Sequence, residues 1–337
     1  MGGNADRRGG IVAEPKLADR ALGLGHGHEQ DGAPWHARRV KRIALIVNPY
    51  STQVTGERIQ AVERVLCDHA EVETAFTQHR GHATELAAEA AKTSDAIVVF
   101  SGDGTYNEAL NGAEGEVPFG FLPGGGTSVL PRALGLPRDP VRAAQAVGDA
   151  LASSRVRRIT LGCVNGRRFC FSAGLGFDAD AVRRLDRLGR RPDGVRPGDA
   201  AFVRAVARMI FERRGRFGPE LEIDGAGRAA FLFVANCDPY TFAGPLPLHV
   251  APAARFDLGL DFIAPVRVRK RDVPRLVRYL VRGRGQLEAR DILSGHDLDR
   301  IEVRCDHPLP LQADGEDLGD VDAAVFEAQR DAVSVLV

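Results

Sequence analysis

The sequence predicts two domains, an α/β domain on a mainly parallel sheet followed by a strand-rich, largely antiparallel domain. Buried strand-like runs alternate with helical spacings up to about residue 150, after which short strand-like runs follow one another. Asn165-Gly166 separates the first two of these later runs, and this pair favours a type I′ hairpin turn. The 337 residues and the apolar fraction of 44% are enough for two hydrophobic cores.

The predicted first domain repeats a strand followed by a helix. Residues 43–47 are continuously apolar, which is typical of a strand buried on both faces of a parallel sheet. Apolar residues recur at helical spacing from Gly56, and the alternation continues as far as Pro123. The strands of this domain are predicted at residues 43–47, 72–76, 96–100 and 117–122.

The predicted second domain is an antiparallel β-sandwich interrupted by two helices, at 199–213 and 272–281. Its strands are predicted at residues 156–163, 167–172, 230–235, 260–263, 301–304 and 309–312. The domain boundaries follow from these patterns. We expect a disordered tail at 1–38, the α/β domain at 39–150, the β-sandwich domain at 151–320 and a C-terminal segment at 321–337 that can return to the first domain.

The composition excludes several classes of protein. A formal net charge of zero gives no general case for nucleic-acid binding. The five cysteines form no CxxC pair, which favours reduced thiols in a cytoplasmic protein over disulfides or a zinc site. No apolar run approaches the ~18 residues of a spanning helix. The N-terminus has no apolar signal-peptide core, so no signal peptide is predicted.

Two glycine-rich loops follow neighbouring predicted strands. In open parallel sheets, ligands bind where the strands end and where helix N-termini present free N–H groups. The first loop, Ser101-Gly-Asp-Gly-Thr-Tyr-Asn-Glu108, has the spacing of a capping box between Thr105 and Glu108. Asp103 is unfavourable beside an anion site unless it handles a metal ion or a substrate proton. A tight βα turn is an equally good interpretation of this loop taken alone.

The second loop, Leu122-Pro-Gly-Gly-Gly-Thr-Ser-Val-Leu-Pro131, repeats this design. Thr127 is placed to cap a helix in which Pro131 falls in the first turn, and Gly135 ends that helix. Two such loops side by side predict a phosphate-binding site, and neither loop matches the Walker P-loop.

An acidic turn lies near the C-terminus. Asp314-Gly315 alone is typical of a β-turn. Glu316 adds a second carboxylate, so the turn is a candidate acid/base or metal pair.

Five motifs in order make the chain resemble the diacylglycerol kinase catalytic-domain family, which includes bacterial lipid kinases, sphingosine kinases and ceramide kinases. They are Asn48-Pro49, S-G-D-G-T-x-N-E, G-G-T-x-V-L-x-R-A-L-G-L-P, Gly174-Leu-Gly-Phe-Asp-Ala179 and P-L-P-L-Q-A-D-G-E. One GDGT alone is weak, because NAD kinases and phosphofructokinases resemble it there. The resemblance covers roughly residue 41 to the C-terminus.

The resemblance implies a phosphofructokinase-like (Rossmann-like) domain and a β-sandwich with ATP, Mg²⁺ and the active site between them. It implies that Glu316 accepts the proton beside Asp314, with Asp103 as the rival base. The nucleotide contacts that it implies are Asn48, Thr77, Gly102, Asp103, Gly104, Thr105, Asn107, Glu108, Gly126 and Thr127.

The sequence departs from the family pattern at three places. Tyr50-Ser51-Thr52 lacks the glycine of N-P-x-S-G, and Ser128 stands where asparagine is usual. Many bacterial members hold a structural magnesium through Asp-Asp-Gly, but here the stretch is Asp257-Leu258-Gly259. Asp257 is therefore a weakened candidate for a structural metal ligand, whereas the magnesium that travels with ATP is unaffected.

Residues 266–284 form a basic amphipathic segment with apolar residues at helical spacing. Such a helix suits an anionic bilayer, which fits a peripheral protein at the inner face of the membrane. Packing of the apolar face on the β-sandwich, with solvated arginines outside, is the alternative, and the two are compatible.

The resemblance implies phosphorylation of a lipid hydroxyl, with diacylglycerol, converted to phosphatidic acid in phospholipid synthesis, as the first choice. A sphingoid-base or other lipid kinase, an NAD-kinase-like soluble kinase, and a catalytically weak nucleotide- or lipid-binding protein are the alternatives. The sequence leaves open the acceptor lipid, the general base and the oligomeric state, with a homodimer among the options.

Overall fold

A computed structural model describes residues 40–187 and 199–337. The expected tail at 1–38 lies outside the described residues. The predicted fold class is confirmed, because a parallel α/β unit is followed by antiparallel strands. The N-terminal elements are β1 (Arg42–Val47), α1 (Gly56–Cys67), β2 (Glu71–Phe76), α2 (His82–Thr93), β3 (Ala96–Ser101), α3 (Asp103–Gly112), β4 (Phe119–Pro123), α4 (Val129–Ala133) and α5 (Pro140–Ala152).

The N-terminal strands pair in parallel in the order β4-β3-β1-β2. Both β1 and β3 are buried on both faces, as their continuous apolar runs predict. Helices α1 and α5 contact each other and share the hydrophobic core on one side of the sheet. Helices α2 and α3 contact each other and share the core on the other side. Because all four strands are parallel, their carboxyl ends lie at one edge of the sheet.

The C-terminal elements are β5 (Val156–Val164), β6 (Arg167–Phe169), β7 (Ser172–Leu175), α6 (Phe177–Arg187), α7 (Asp199–Glu212), β8 (Leu221–Ile223), β9 (Gly227–Ala229), β10 (Leu232–Ala235), β11 (Thr241–Ala243), β12 (Leu246–Leu248), β13 (Leu260–Pro265), α8 (Val273–Arg282), β14 (Ile292–Leu298), β15 (Arg300–Ala313) and β16 (Glu316–Leu336). Their antiparallel order is β14-β13-β10-β7-β15-β16. Apolar residues of β5 to β10, β13, β15 and β16 share one core.

Strand β16 joins the two halves of the molecule. It pairs with β15 and β5 in antiparallel fashion, and Val335 pairs in parallel with Phe119 of β4. One hydrogen-bonded sheet therefore continues from the N-terminal strands into the C-terminal strands. The predicted boundaries at residues 38, 150 and 320 stay predictions.

Two strand predictions need correction. The run at 167–172 is two strands, because β6 pairs with β5 whereas β7 pairs with β10 and β15. The runs at 301–304 and 309–312 are one strand, β15, whose register shifts between Arg304 and Leu309. The hairpin turn between β5 and β6 is confirmed, since Asn165 and Gly166 have φ of 48° and 86°. No helix of the described ranges is long and apolar enough to cross a bilayer.

Candidate active site

The two glycine-rich loops touch each other where β3 and β4 end. These strands are paired so that Ser101 lies beside Pro123. The amide of Gly124 donates to the carbonyl oxygen of Ser101 at 2.6 Å. A Cβ on Gly125 would lie 2.9 Å from the Cα of Gly102, so the two backbones approach more closely than any other residue at position 125 allows.

The predicted capping box of the first loop is wrong. Helix α3 begins at Asp103, two residues before Thr105, and has no side-chain cap. The hydroxyl oxygen of Thr105 instead accepts hydrogen bonds from the Ser101 hydroxyl at 2.7 Å and from Asn48 Nδ2 at 3.2 Å. Thr105 therefore joins the ends of β1 and β3, and Glu108 lies half-buried in the next turn of the helix.

Asp103 caps helix α4 in the role predicted for Thr127. Its two carboxylate oxygens accept hydrogen bonds from the amides of Val129 at 2.9 Å and Leu130 at 3.1 Å. Ser128 holds the N-cap position at φ 47° but makes no side-chain cap bond. Burial raises the pKa of the Asp103 carboxyl to about 6, although the two amides oppose the shift. The aspartate of the first loop thus fixes the second loop.

Three backbone amides remain available at these loops. Within the part of the chain that the structure describes, the N–H groups of Gly104, Gly126 and Thr127 have no hydrogen-bond acceptor. Gly104 lies in the first turn of the ten-residue helix α3, where the helix dipole favours an anion. A Cβ on Gly126 would meet no atom within 4 Å, so this glycine borders open space. The arrangement suits a phosphate group.

The acidic turn connects β15 to β16. Asp314 and Gly315 both have positive φ, 48° and 77°. The buried carboxylate of Asp314 accepts hydrogen bonds from the consecutive amides of Cys170, Phe171 and Ser172 at 2.6, 3.0 and 3.1 Å. Burial raises the pKa of this carboxyl, and the amides oppose that shift. Asp314 therefore serves the architecture of the turn.

Helix α3 and the acidic turn meet directly. Asn107 Nδ2 donates to Asp314 Oδ2 at 2.9 Å. Arg167 Nη2 donates both to Asn107 Oδ1 at 2.9 Å and to Glu316 Oε2 at 2.7 Å. A Cβ on Gly104 would lie 3.5 Å from Glu316 Oε1. The glycine-rich loop of the first domain and the acidic turn of the second therefore line one site.

Glu316 lies between two arginines. Its carboxylate is buried, at 8% side-chain exposure, and Arg80 Nη2 lies 3.5 Å from Oε1 whereas Arg167 Nη2 lies 2.7 Å from Oε2. Each carboxylate oxygen therefore has an arginine beside it, and a carboxylate in such a cleft is a candidate proton acceptor. Neither arginine is predicted from the sequence, because both stand outside the five motifs.

Two further predicted contact residues follow the other strand ends. Asn48 follows β1 and Thr77 follows β2, so both lie at the same sheet edge as the loops. The Thr77 side chain is buried, and its amide donates to Val47 at 2.9 Å. Asn48 Oδ1 accepts from the amide of Tyr50 at 3.0 Å, which turns the chain where the usual glycine is missing.

Asp257 does not fit a structural metal site. Its carboxylate accepts hydrogen bonds from Arg255 Nε at 3.1 Å and Nη2 at 2.6 Å, and Arg157 lies 3.6 Å away. The Arg255 guanidinium lowers the pKa of this carboxyl. Two cations already neutralise the one remaining acid of the stretch, so the weakened candidate is not supported.

A histidine cluster beside the site is an incomplete metal site. Ligand atoms of His79, His82 and Glu85 lie within 4.8 Å of one another. However, His82 Nδ1 accepts from the amide of Gln78 at 3.0 Å, which leaves the proton of the neutral ring on Nε2. Metal-bound histidines donate through their second nitrogen instead. The cluster therefore offers lone pairs from His79 and the Glu85 carboxylate, but not from His82.

Comparison with known proteins agrees with this geometry. Residues 42–164 match the family model described as the diacylglycerol kinase catalytic domain. A diacylglycerol kinase of Bacillus subtilis (strain 168) is 34% identical over 143 residues, which cover 41% of this chain and 46% of that protein. The match thus spans about half the length of that relative. A protein described as probable lipid kinase YegS-like, from Chromohalobacter salexigens, is 27% identical over 297 residues, covering 86% of this chain and 88% of the relative.

Solved structures share the two-domain fold. A diacylglycerol kinase structure from Bacillus anthracis str. Sterne superimposes with a TM-score of 0.67 at 19% identity, covering 89% of this chain and 97% of the other. An NAD kinase from Archaeoglobus fulgidus in complex with ATP gives a TM-score of 0.50 at 16% identity, covering 88% and 93%. Both likenesses concern the fold. The resemblance to the diacylglycerol kinase catalytic-domain family is confirmed.

Proposed function

We propose that this protein is an ATP-dependent lipid kinase that transfers the γ-phosphoryl group to a lipid hydroxyl. The observation that carries the proposal is the meeting of helix α3 with the acidic turn, through Asn107, Asp314 and Arg167. It brings a buried, arginine-flanked Glu316 beside Gly104 of the first glycine-rich loop. Phosphoryl transfer needs both partners, an anion site and a proton acceptor within one cleft.

In this mechanism the loop amides bind and orient the phosphates. Gly104, Gly126 and Thr127 supply the N–H groups. Glu316 takes the proton of the lipid hydroxyl as its oxygen forms a bond to the γ-phosphorus and the bond to the β-phosphate oxygen breaks, releasing ADP. Mg²⁺ that arrives with ATP would neutralise phosphate charge. Most of the acceleration would come from positioning and electrostatics, because the transition state is loose.

The carboxylates of Asp103, Asp314 and Glu316 have different hydrogen-bond partners. Both oxygens of Asp103 are occupied by α4 amides, and Asp314 holds three amides and Asn107. Glu316 is the carboxylate whose described partners are the arginine side chains alone. We therefore assign Glu316 as the general base, and Asp103 and Asp314 as positioning residues.

Diacylglycerol is the acceptor that we propose, with phosphatidic acid as the product. The support is that a 34% identical relative is named as a diacylglycerol kinase. The test incubates purified protein with labelled ATP and Mg²⁺, and offers diacylglycerol, a sphingoid base, ceramide and NAD in separate reactions. We expect label in phosphatidic acid. Label in another lipid would correct the acceptor, label in NADP would replace the proposal by a soluble kinase, and no label in any product would contradict it.

A further inference from the structure

Helix α8 has an inner face that packs on the protein and an outer face that no other segment of residues 40–187 and 199–337 covers. Leu276, Tyr279 and Leu280 pack against the cluster that includes Tyr240 and Ile263. This confirms the packing of the apolar face that the sequence offered as one alternative.

The outer face of α8 mixes apolar and cationic side chains. Val277 and Val281 are 52% and 40% exposed, and Pro274, Arg278 and Arg282 are exposed between and beside them. Spacings of three and four residues place these five side chains on one side of the helix. We call them the α8 outer face.

The basic charge at this face is largely unneutralised. Within the described ranges, Arg278, Arg282 and Arg284 form no salt bridge, whereas Arg275 is paired with Asp291. The three arginines line an open cavity of about 620 Å³, together with Tyr279, Gly285, Glu288 and Ala289. Since the whole chain has a formal net charge of zero, this face is a local concentration of positive charge.

We propose that the α8 outer face docks on an anionic phospholipid bilayer, with the arginines at the headgroups and the valines at the acyl boundary. The biological role of this docking rests on the proposed lipid kinase function. A helix with cationic and apolar side chains on one exposed face suits the membrane interface, where basic residues bind anionic headgroups. The exposed valines between the arginines favour a bilayer over a nucleic acid, because the phosphates of a nucleic acid bind cationic side chains and gain nothing from the valines.

The docking face is linked to the candidate active site. Strand β12 contacts α8, and His249, which follows it, donates its amide to Leu280 at 2.7 Å. The β11–β12 hairpin carries Gly244, whose carbonyl accepts hydrogen bonds from Arg132 at 3.3 Å and Arg138 at 3.1 Å. Arg132 belongs to α4, the helix that follows the second glycine-rich loop. The β11–β12 hairpin therefore contacts both α8 and α4, so it connects the α8 outer face to the second glycine-rich loop.

The test is vesicle co-sedimentation of the full chain without nucleotide, with phosphatidylcholine vesicles that contain or lack phosphatidylglycerol. We expect binding only to the anionic vesicles. Replacement of both Arg278→Glu and Arg282→Glu should lower the partition coefficient roughly 30-fold or more. The variant with Val277→Asn and Val281→Asn should lose affinity while keeping the charge. Arg64→Glu with Arg142→Glu is the matched control, since both arginines are exposed on other helices, and it should bind like the wild type.

Equal loss in the α8 arginine variant and the control, or equal binding of the wild type to both vesicles, would overturn the docking face. Arginine-dependent binding of a DNA duplex without binding to anionic vesicles would also overturn it. The kinase readout is separate. The α8 arginine variant should phosphorylate a water-soluble short-chain diacylglycerol normally and lose activity on vesicles. Variant-sensitive vesicle binding without phosphorylation of any lipid would sink the proposed function and leave the docking face standing.

Discussion

Asn107 donates a hydrogen bond from Nδ2 to Asp314 Oδ2 at 2.9 Å, although the two residues are 207 positions apart in the chain. The bond is buried and joins the helix after the first glycine-rich loop to the acidic turn. Three backbone amides hold the same carboxylate from the other side. Asp314 therefore fixes where Glu316, two residues later, stands relative to Gly104.

Removal of the Asp314 carboxylate should destabilise the protein strongly. Asp314→Ala leaves three buried amides and Asn107 without an acceptor, so we expect a loss of about 3–5 kcal/mol in the free energy of unfolding. Urea unfolding measures it. Asp306→Ala is the control, because Asp306 is 45% exposed and paired on the surface with Arg228, and it should cost less than about 1 kcal/mol. Equal losses would show that Asp314 has no special structural role.

Activity should depend on the ionisation of Asp103. The ionised carboxylate accepts the hydrogen bonds from Val129 and Leu130 more strongly than the protonated form does, and burial raises the pKa of Asp103 to about 6. We therefore expect kcat/KM for lipid phosphorylation to rise with pH through about 6. Asp103→Asn mimics the protonated form, so its activity should be about 100-fold lower and lack this step. A step of the same size in the variant would contradict the assignment.

Protonation of Asp103 should lower the activity but raise the stability of the folded protein. Its folded pKa of about 6 lies above the ordinary value of 3.8, because burial disfavours the charge. The folded protein thus binds more protons than the unfolded chain between these values, and its contribution to the unfolding free energy grows as pH falls from about 6 towards 3.8. Urea unfolding across this window should show a smaller increase for Asp103→Asn than for the wild type. If the unfolding free energies of the wild type and Asp103→Asn change equally with pH, a group other than Asp103 is responsible for the change.

The contact between the glycine-rich loops should tolerate no side chain at position 125. A Cβ there would lie 2.9 Å from Gly102 Cα, so Gly125→Ala should cost about 1–3 kcal/mol and impair lipid phosphorylation. Gly126→Ala is the matched control for stability, because its Cβ meets nothing within 4 Å and the change should stay within about 0.5 kcal/mol. Thermal and urea unfolding compare the two variants. A more destabilised Gly126→Ala variant would refute the packing of the loops.

Asp257 should have no part in the magnesium requirement. Its carboxylate is 43% exposed and held by Arg255 and Arg157. Asp257→Asn should therefore leave the Mg²⁺ concentration dependence of the activity unchanged and cost less than about 1 kcal/mol of stability. A shift of the Mg²⁺ midpoint in activity titrations would restore Asp257 as a metal ligand.

Local patterns could predict much of the site because the strands are parallel. The runs that end at Ser101 and Pro123 predict two glycine-rich loops at one sheet edge, and β3 and β4 are neighbours. The local pattern gave a wrong prediction for Thr105, because its spacing to Glu108 fits a capping box that the structure does not contain. The helix starts earlier because tertiary partners at Ser101 and Asn48 take the Thr105 hydroxyl.

Long-range contacts were beyond the sequence patterns. The sequence alone predicts that Asp103 handles a metal ion or a proton, because the amides of Val129 and Leu130 that donate to its carboxylate are brought there only when α4 packs beside α3. Arg80 and Arg167 stand in unremarkable local sequence, and only the folded chain brings both to Glu316. Local propensity carries no information on such pairings.

The most direct test of the account is the activity of Glu316→Gln with labelled ATP and diacylglycerol. The amide keeps the size of the side chain but cannot accept the hydroxyl proton, so we expect turnover to fall about 10²–10⁴-fold, with ATP binding retained in a thermal-shift assay. Glu327→Gln, at a residue 50% exposed and paired with Arg300, should phosphorylate like the wild type. Wild-type turnover in Glu316→Gln would contradict the assignment of this site as the centre of phosphoryl transfer.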